Sequence, residues 1–522
     1  EAWLYGTRNG NPLPGSPLSP LNGVRSLTTG VNYNRATLDD GWLFQVPSSW
    51  ITAGNTNFRL VVDPRQNYND TNRTNNELAR AMSFATKPPV CDVFVPVRTH
   101  SPYASTDNPN FGAMVDQARR LFPTYDFWSF RQNEDVAELE ACWWGPFPYP
   151  CFGPYELPDD SWKVLTSLNT RDFFTDDPDA CDNVGADTHY AGMVHASTDT
   201  HNPDNPGFTT TGSSYINDNV IWVKFPSASL PSNNNVDFPD SVATLAHELG
   251  HNEGRKHVNC GNPDDPDSNY PYPMTQIDNA GAANHYGFDI RTQKVIAPTA
   301  AKDFMTYCST KWTTDYTWKA LFNRLSAQDY VAGVMGPSDG ATPVDGSTPS
   351  ISTGPMPIAV PNLAAANAAI FVTGAVTPSL NTGALNYAWV YPTAALSSGI
   401  LRKWQAAADK AAAQAVNAAQ ADQPQHGGPI AGNYHVQLLD SANTVLADQP
   451  VTPQDSSIHN MEDSAATFVA TFPAPSGKVA TIQLLNGNSI IASRSPGATQ
   501  PTVAISKPTG GETFTDQMQI VW

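Results

Sequence analysis

The chain has 522 residues, more than a single hydrophobic core accommodates, so several domains are expected. Its 29 basic and 49 acidic residues leave a formal charge of −20, which disfavours nucleic acid and anionic lipid as partners, and no apolar run approaches the ~18 residues of a membrane span. Charged residues make up 15% of the chain while Pro (45) and Gly (35) are abundant, a balance that favours turn-rich β domains over helical bundles.

Residues 1–90 hold short alternating runs such as GWLFQVP and NFRLVVDP, broken by Asn, Asp and Pro. Period-two alternation between turn formers predicts strands, and the region is expected to be an N-terminal β-sandwich accessory domain. Two glycosylation-type triplets begin at Asn69 and Asn72, although Asn-rich stretches also form turns without any modification. The chain opens at Glu1, which reads as a mature protein whose leader has been removed or omitted.

From Cys91 strands alternate with helices: CDVFVPVRT, YDFWSF, THYAGMVH and VIWVKF read as strands, FGAMVDQARRLF and SWKVLTSLNTRDFF as helices. That order predicts an α/β domain over residues 91–335, with a mixed, mainly parallel sheet. FPDSVATLAHELGHNEGRKH follows, with Asp240 or Ser241 as N-cap and Val242, Leu245, Ala246 and Leu249 at helical spacing. After a helix in TWKALFNRLSAQDYV, residues 336–362 read as a Gly/Ser/Thr/Pro linker. Residues 363–497 predict a second β-sandwich with the Ala-rich helix KWQAAADKAAAQAVNAAQA inserted, and residues 498–522 the start of a truncated immunoglobulin-like module.

The six cysteines, Cys91, Cys142, Cys151, Cys181, Cys260 and Cys308, are even in number and contain no CxxC pair. This suits disulfides in an oxidising compartment, so a secreted or cell-surface location is expected; six buried thiols in a reducing compartment is the other reading.

Chemistry concentrates in HELGHNEGRKH, residues 247–257. Residues four apart share a helix face, so His247 and His251 can aim two imidazoles at one point while Glu248 borders the same cavity. Gly254 lets the chain leave the helix in a left-handed conformation and bring His257 round as a third ligand. Three protein ligands leave a fourth metal position open, as catalytic zinc requires and structural zinc does not.

His247, Glu248, His251, Gly254 and His257 together match HExxHxxGxxH, and on this motif the region resembles the metzincin zinc peptidases. DFMTYC, residues 303–308, resembles their Met-turn, in which Met305 would form a hydrophobic floor beneath the imidazoles. Tyr307 stands at the spacing where astacin-like and serralysin-like members carry a tyrosine that ligates zinc or hydrogen-bonds the oxyanion. The resemblance implies one catalytic Zn²⁺ on the three histidines, Glu248 as general base, and a Cys260–Cys308 disulfide bracing the site. Cys142 with Cys151 and Cys91 with Cys181 would complete the set, though sequence alone leaves the pairing open. It also implies a substrate-pairing edge strand, for which FTTTGSSYI (208–216) is the candidate, and a primed-side pocket to which Trp312, Tyr316 and Trp318 are candidate contributors. The acidic run NPDDPDSN (262–269) is a candidate Ca²⁺ loop that lacks EF-hand spacing.

With its flanking β domains the chain is similar to large secreted bacterial peptidases bearing immunoglobulin-like modules, some of which cut mucin-type glycoproteins. The expected function is therefore a secreted zinc endopeptidase acting on proteins or glycoproteins, Glu248 activating the attacking water. An adhesin or glycan-binding protein with an inactive metzincin-like domain is the alternative, and it is disfavoured because neither Glu248 nor a histidine is missing.

Overall fold

The computed structural model describes residues 1–24, 33–104, 109–124, 126–132, 134–143, 148–183, 186–202, 205–226, 240–263, 266–279, 284–325, 362–418, 430, 432–455 and 465–495. Several separate sheets and few helices build these residues, as a β-rich chain of more than one unit should. The linker expected over 336–362, up to residue 361, and the module expected over 498–522 lie outside the described residues.

Among the described residues, the first unit, expected as a sandwich, shows one antiparallel sheet. Strands β1 (Ala2–Arg8), β2 (Asn11–Pro12), β3 (Gly54–Val62) and β4 (Glu77–Phe84) are ordered β2-β1-β3-β4. Trp50 takes the place of a second layer: it is fully buried, and a Cβ on Gly6 would come within 2.5 Å of its ring. GWLFQVP is not a strand, because the backbone of Leu43 bonds to Asn22 and Leu21 instead of to a neighbouring ladder.

The central unit is a five-stranded sheet. β5 (Val90–Pro96) is followed by α1 (Pro109–Leu121), β6 (Phe127–Arg131), the hairpin β7 (Glu138–Trp143) and β8 (Pro148–Gly153), α2 (Ser161–Phe174), the short α3 (Asp179–Asp182) and β9 (Thr188–Val194). A small hairpin, β10 (His201–Asn202) with β11 (Asn205–Thr209), precedes β12 (Gly212–Ser214) and β13 (Val220–Lys224). The sheet order is β12-β13-β9-β5-β6, with every neighbour parallel except β12, which runs antiparallel along the edge. β5 is buried at every position, as a strand covered on both faces should be. Val93, Val95, Tyr190 and Trp222 pack towards α2. Phe94, Met193, Ile221 and Val223 pack on the opposite face with α1 and the helix that carries the histidines. That helix, α4 (Thr244–Asn252), is buried throughout and is entered through a 3₁₀ turn over Asp240–Ala243, where the N-cap was expected.

Beyond it come the hairpin β14 (Gly287–Asp289) and β15 (Lys294–Ile296), the parallel pair β16 (Lys302–Asp303) and β17 (Lys311–Trp312), and α5 (Asp315–Arg324). Thr314 caps α5 by accepting from Thr317 N. A disulfide ties Cys91 on β5 to Cys181 on α3, and a second joins Cys260 to Cys308. The side chains of Cys142 and Cys151 lie outside the described set.

The last unit is a true two-sheet pack. β18 (Ala368–Thr377) and β19 (Thr382–Pro392) precede the long α6 (Ser398–Ala418), and β20 (Tyr434–Leu439), β21 (Val445–Pro450), β22 (Ala466–Pro473), β23 (Thr481–Asn486) and β24 (Ser489–Arg494) follow it. Sheets β19-β18-β22 and β21-β20-β23-β24 close on Val372, Val436, Leu438, Phe468 and Leu484. The inserted α6 covers the outer face of the first sheet and reaches the central unit: Phe174 of α2 lies 4.8–5.6 Å, centroid to centroid, from Phe371, Trp389, Tyr391 and Trp404.

Candidate metal centre

Helical spacing and one glycine bring three imidazoles together. His247 and His251 project from one face of α4; Gly254, at φ +79°, turns the chain so that His257 faces them. All three rings are buried, and their candidate ligand atoms lie within 4.8 Å of one another, the one group of this kind among the described residues. Ring centroids are 4.8 Å apart for His247 and His251, 4.5 Å for His251 and His257, and 5.2 Å for His247 and His257.

The inner nitrogens are set by backbone carbonyls. His247 Nδ1 is 2.9 Å from Phe304 O and His251 Nδ1 is 2.6 Å from Arg255 O, so each Nδ1 donates and each Nε2 keeps its lone pair. The Nε2 atoms of His251 and His257 face each other at 3.0 Å. Burial, the main cause in each case, pushes the His251 imidazolium down to about 4 and that of His247 well below its usual value. Neutral, desolvated imidazoles with converging Nε2 atoms are the donor set of a transition-metal site, and the residues present fit a metal ion.

The turn containing Met305 packs against α4. Met305 and Phe304 are fully buried, and a Cβ on Gly250 would meet Met305 Sδ at 2.5 Å, so this glycine inside α4 exists to admit the thioether. The turn is fastened to the segment after His257 by Val258 N to Met305 O (3.0 Å), Tyr307 N to Cys260 O (3.1 Å) and the Cys260–Cys308 disulfide. Gly261, at φ +86°, leaves room for Tyr307, whose Cβ sits 2.7 Å from where a side chain would begin. Asp303 anchors the turn from beneath: Oδ1 accepts from Met305 N at 2.9 Å, and Oδ2 accepts from Thr314 Oγ1 at 2.5 Å and Thr317 Oγ1 at 2.6 Å.

Glu248, the next residue along α4 from His247, meets the edge strand. Ser214 Oγ donates to Glu248 Oε2 at 2.7 Å, and a Cβ on Gly212 would lie 2.8 Å from the Glu248 side chain, so a bare backbone clears its place. Of the expected edge segment 208–216, Gly212–Ser214 forms β12, the antiparallel edge of the central sheet. Tyr307 stands next to the triad, its ring centroid 4.6 Å from that of His257 and 5.9 Å from that of His247.

The other expected aromatics diverge. Trp312 is buried against Gly287, whereas Trp318 is well exposed. Tyr316 donates to Asp267 Oδ2 at 2.8 Å and lies under the Arg255 guanidinium. Asp267 also pairs with Arg255 at 3.0 Å, so this carboxylate of the candidate Ca²⁺ run is already engaged. Asp264 and Asp265 lie outside the described residues.

Sequence reasoning missed Gly212, Ser214, Gly250 and Asp303, and it missed a buried charge cluster at the far end of α4. There His189 of β9 bonds Asn252 Oδ1 at 3.1 Å and lies 3.2 Å from Glu253 Oε1, while Arg324 Nε lies 3.4 Å from Glu253 Oε2. Burial pushes the neighbouring Asp92 carboxyl up to about 7 despite the His189 charge.

A scan of the chain against protein-family models finds no match, and a search of curated proteins finds none either.

Proposed function

We propose that this chain is a secreted, metzincin-like zinc endopeptidase that hydrolyses peptide bonds of extracellular proteins or glycoproteins. The observation that carries the reading is the convergence of three buried imidazoles, His247, His251 and His257, on one point, with Glu248 on the next face of the same helix. The Nδ1 contacts to Phe304 O and Arg255 O support it, because they fix the tautomers that leave Nε2 lone pairs for a metal. Two disulfides, and no helix among the described residues long and apolar enough to cross a membrane, suit an exported protein.

When bound, a zinc ion supplies a Lewis acid that polarises the scissile carbonyl and makes water acidic enough to attack at neutral pH. The protein's part follows from its geometry. An extended peptide adds to β12 as the next antiparallel strand, presenting its carbonyl above Glu248. Glu248 takes a proton from the attacking water as its oxygen bonds the carbonyl carbon, then returns that proton to the amine nitrogen as the C–N bond breaks. Ser214 holds the carboxylate in place for both transfers. Tyr307, whose ring stands beside that of His257, donates from its hydroxyl to the oxyanion in this reading; losing such a donor costs about 10²–10³ in rate.

The test is cleavage of a mixture of extracellular proteins and glycoproteins by zinc-replete protein. Cutting that stops with a chelator and in Glu248→Gln supports the reading. A metal-loaded, folded chain that cuts nothing across such a mixture overturns it and leaves a binding role.

A further inference from the structure

The segment from Tyr215 to Asn219 joins the edge strand to β13, and it is gripped from two sides. On the side of α4, Asn217 N donates to His251 O at 3.0 Å, and Asn252 Nδ2 donates to Tyr215 O at 2.9 Å and Val220 O at 3.2 Å. Asn217, itself at φ +57°, puts its Oδ1 where a side chain on Gly254 would begin, 2.5 Å away. One residue before the segment, Ser214 holds Glu248.

The second grip comes from far along the chain. The Tyr215 hydroxyl shares a 2.6 Å hydrogen bond with Thr467 Oγ1 on β22, buried at both ends. Lys410 Nζ, on α6, donates to Asn217 O at 2.6 Å and lies 3.6 Å from Asp218 Oδ2. The body that supplies these contacts is itself fixed to the central unit. Lys403 bonds Asp172 Oδ1 at 2.7 Å, Asp177 Oδ1 at 2.8 Å and Thr175 O at 2.9 Å, and Trp404 Nε1 donates to Phe173 O at 2.8 Å. The loop that follows Ser214, the partner of Glu248, and that bonds the backbone carbonyl of His251 is therefore clamped by the C-terminal unit.

We propose that Tyr215, Thr467 and Lys410 are positioning residues, through which the C-terminal two-sheet unit and α6 hold the 215–219 loop so that Glu248 and His251 keep their working geometry. The C-terminal unit is then a part of the site and not a tethered module. Outer partners of metal ligands set affinity and rate by about 10–100-fold, and displacements of about 1 Å at a reacting centre have similar weight. The turnover arm of the test rests on the peptidase reading; the metal arm does not.

The experiment uses the full chain carrying Tyr215→Phe, Thr467→Val or Lys410→Ala, with Lys410→Arg as the conservative replacement. Arg402→Ala, which removes an exposed α6 ion pair with Asp182 remote from the loop, is the control. Each protein is measured for Zn²⁺ affinity by competition with a chromophoric chelator, for the absorption bands of bound Co²⁺, for kcat and KM on a cleaved peptide, and for its melting temperature. The expected result is kcat lower by about 10-fold with KM within about twofold, weaker Zn²⁺ binding and altered Co²⁺ bands, at near-native melting temperature. Lys410→Arg recovers most of the loss, and Arg402→Ala matches the parent protein. Because Lys410 lies at the rim of the core, its replacement decides the matter if Tyr215→Phe unfolds. Folded Lys410→Ala protein with unchanged Zn²⁺ affinity, Co²⁺ bands and kcat overturns the proposal while an active parent leaves the peptidase reading standing. A parent inactive on every peptide, with Co²⁺ bands that still respond to Lys410→Ala, does the reverse.

Discussion

Ser214 Oγ donates to Glu248 Oε2 at 2.7 Å across the gap between the edge strand and α4, so the carboxylate is oriented by the strand on which a peptide would lie. A hydrogen bond to a charged group contributes about 1.5–3 kcal/mol. Ser214→Ala is therefore expected to lower kcat by about tenfold while bound metal stays stoichiometric. Steady-state kinetics with metal analysis checks this, and an unchanged kcat removes Ser214 from the machinery.

Gly250 gives a prediction of unusual sign. Replacing glycine by alanine inside a helix ordinarily stabilises it by about 1 kcal/mol. Here the added methyl would meet Met305 Sδ at 2.5 Å and Phe304 Cε2 at 3.3 Å, and Phe304 O is what holds His247. Gly250→Ala is expected to lose roughly 1–3 kcal/mol in denaturant unfolding, the usual range for an overpacked core, and to bind metal more weakly. A gain in stability would show that the turn is looser than its packing implies.

The Cys260–Cys308 bond closes a loop of sequence separation 48 that begins just after the third histidine. Cys260→Ser with Cys308→Ser should lower stability by roughly 2–4 kcal/mol through the freer unfolded chain. Metal affinity should fall with it, because the turn carrying Met305 and the segment after His257 are joined by only a few further bonds. Urea titration and chelator competition on the double variant measure the two effects separately.

Much of this arrangement was legible in the sequence. Two histidines four apart on a helix, a glycine that permits a left-handed turn and a third histidine after it are local features, so HELGHNEGRKH carried its geometry with it. The strands of the central sheet were equally plain as short apolar runs, because both faces are buried. Contacts between distant segments were not legible. Nothing near Gly212 or Ser214 announces Glu248, which lies 34 residues on from Ser214. The proline-rich β8 hides its strand signal, because Pro148 and Pro150 cannot donate to a ladder yet sit on a two-stranded hairpin. Trp312 illustrates the opposite failure: an aromatic near a site looks like a pocket wall, but Gly287 opposite makes a slot that buries it.

The far end of α4 predicts a pH dependence. Burial pushes the His189 imidazolium down, but the hydrogen bond and charge of Glu253, with the charges of Asp92 and Asp187, outweigh it and hold the group up to about 9, against 6.5 when unperturbed. The folded state thus holds this proton more tightly than the unfolded chain. Its contribution to stability is fully present below pH 6.5 and is lost as the pH rises towards 9. Thermal unfolding followed across that window should show a falling midpoint, and the fall should flatten in the His189→Gln, Glu253→Gln variant. An equal slope in both proteins would assign the dependence to other groups.

The account stands on one metal ion held by His247, His251 and His257. Diffraction from crystals of the zinc-loaded protein, collected on either side of the zinc absorption edge, tests this most directly. The expected result is one anomalous peak bonded to the Nε2 atom of each of the three histidines at about 2.0–2.1 Å, lost in His251→Ala. Fully zinc-loaded crystals with no peak between those rings, or with the metal held by other residues, would contradict it.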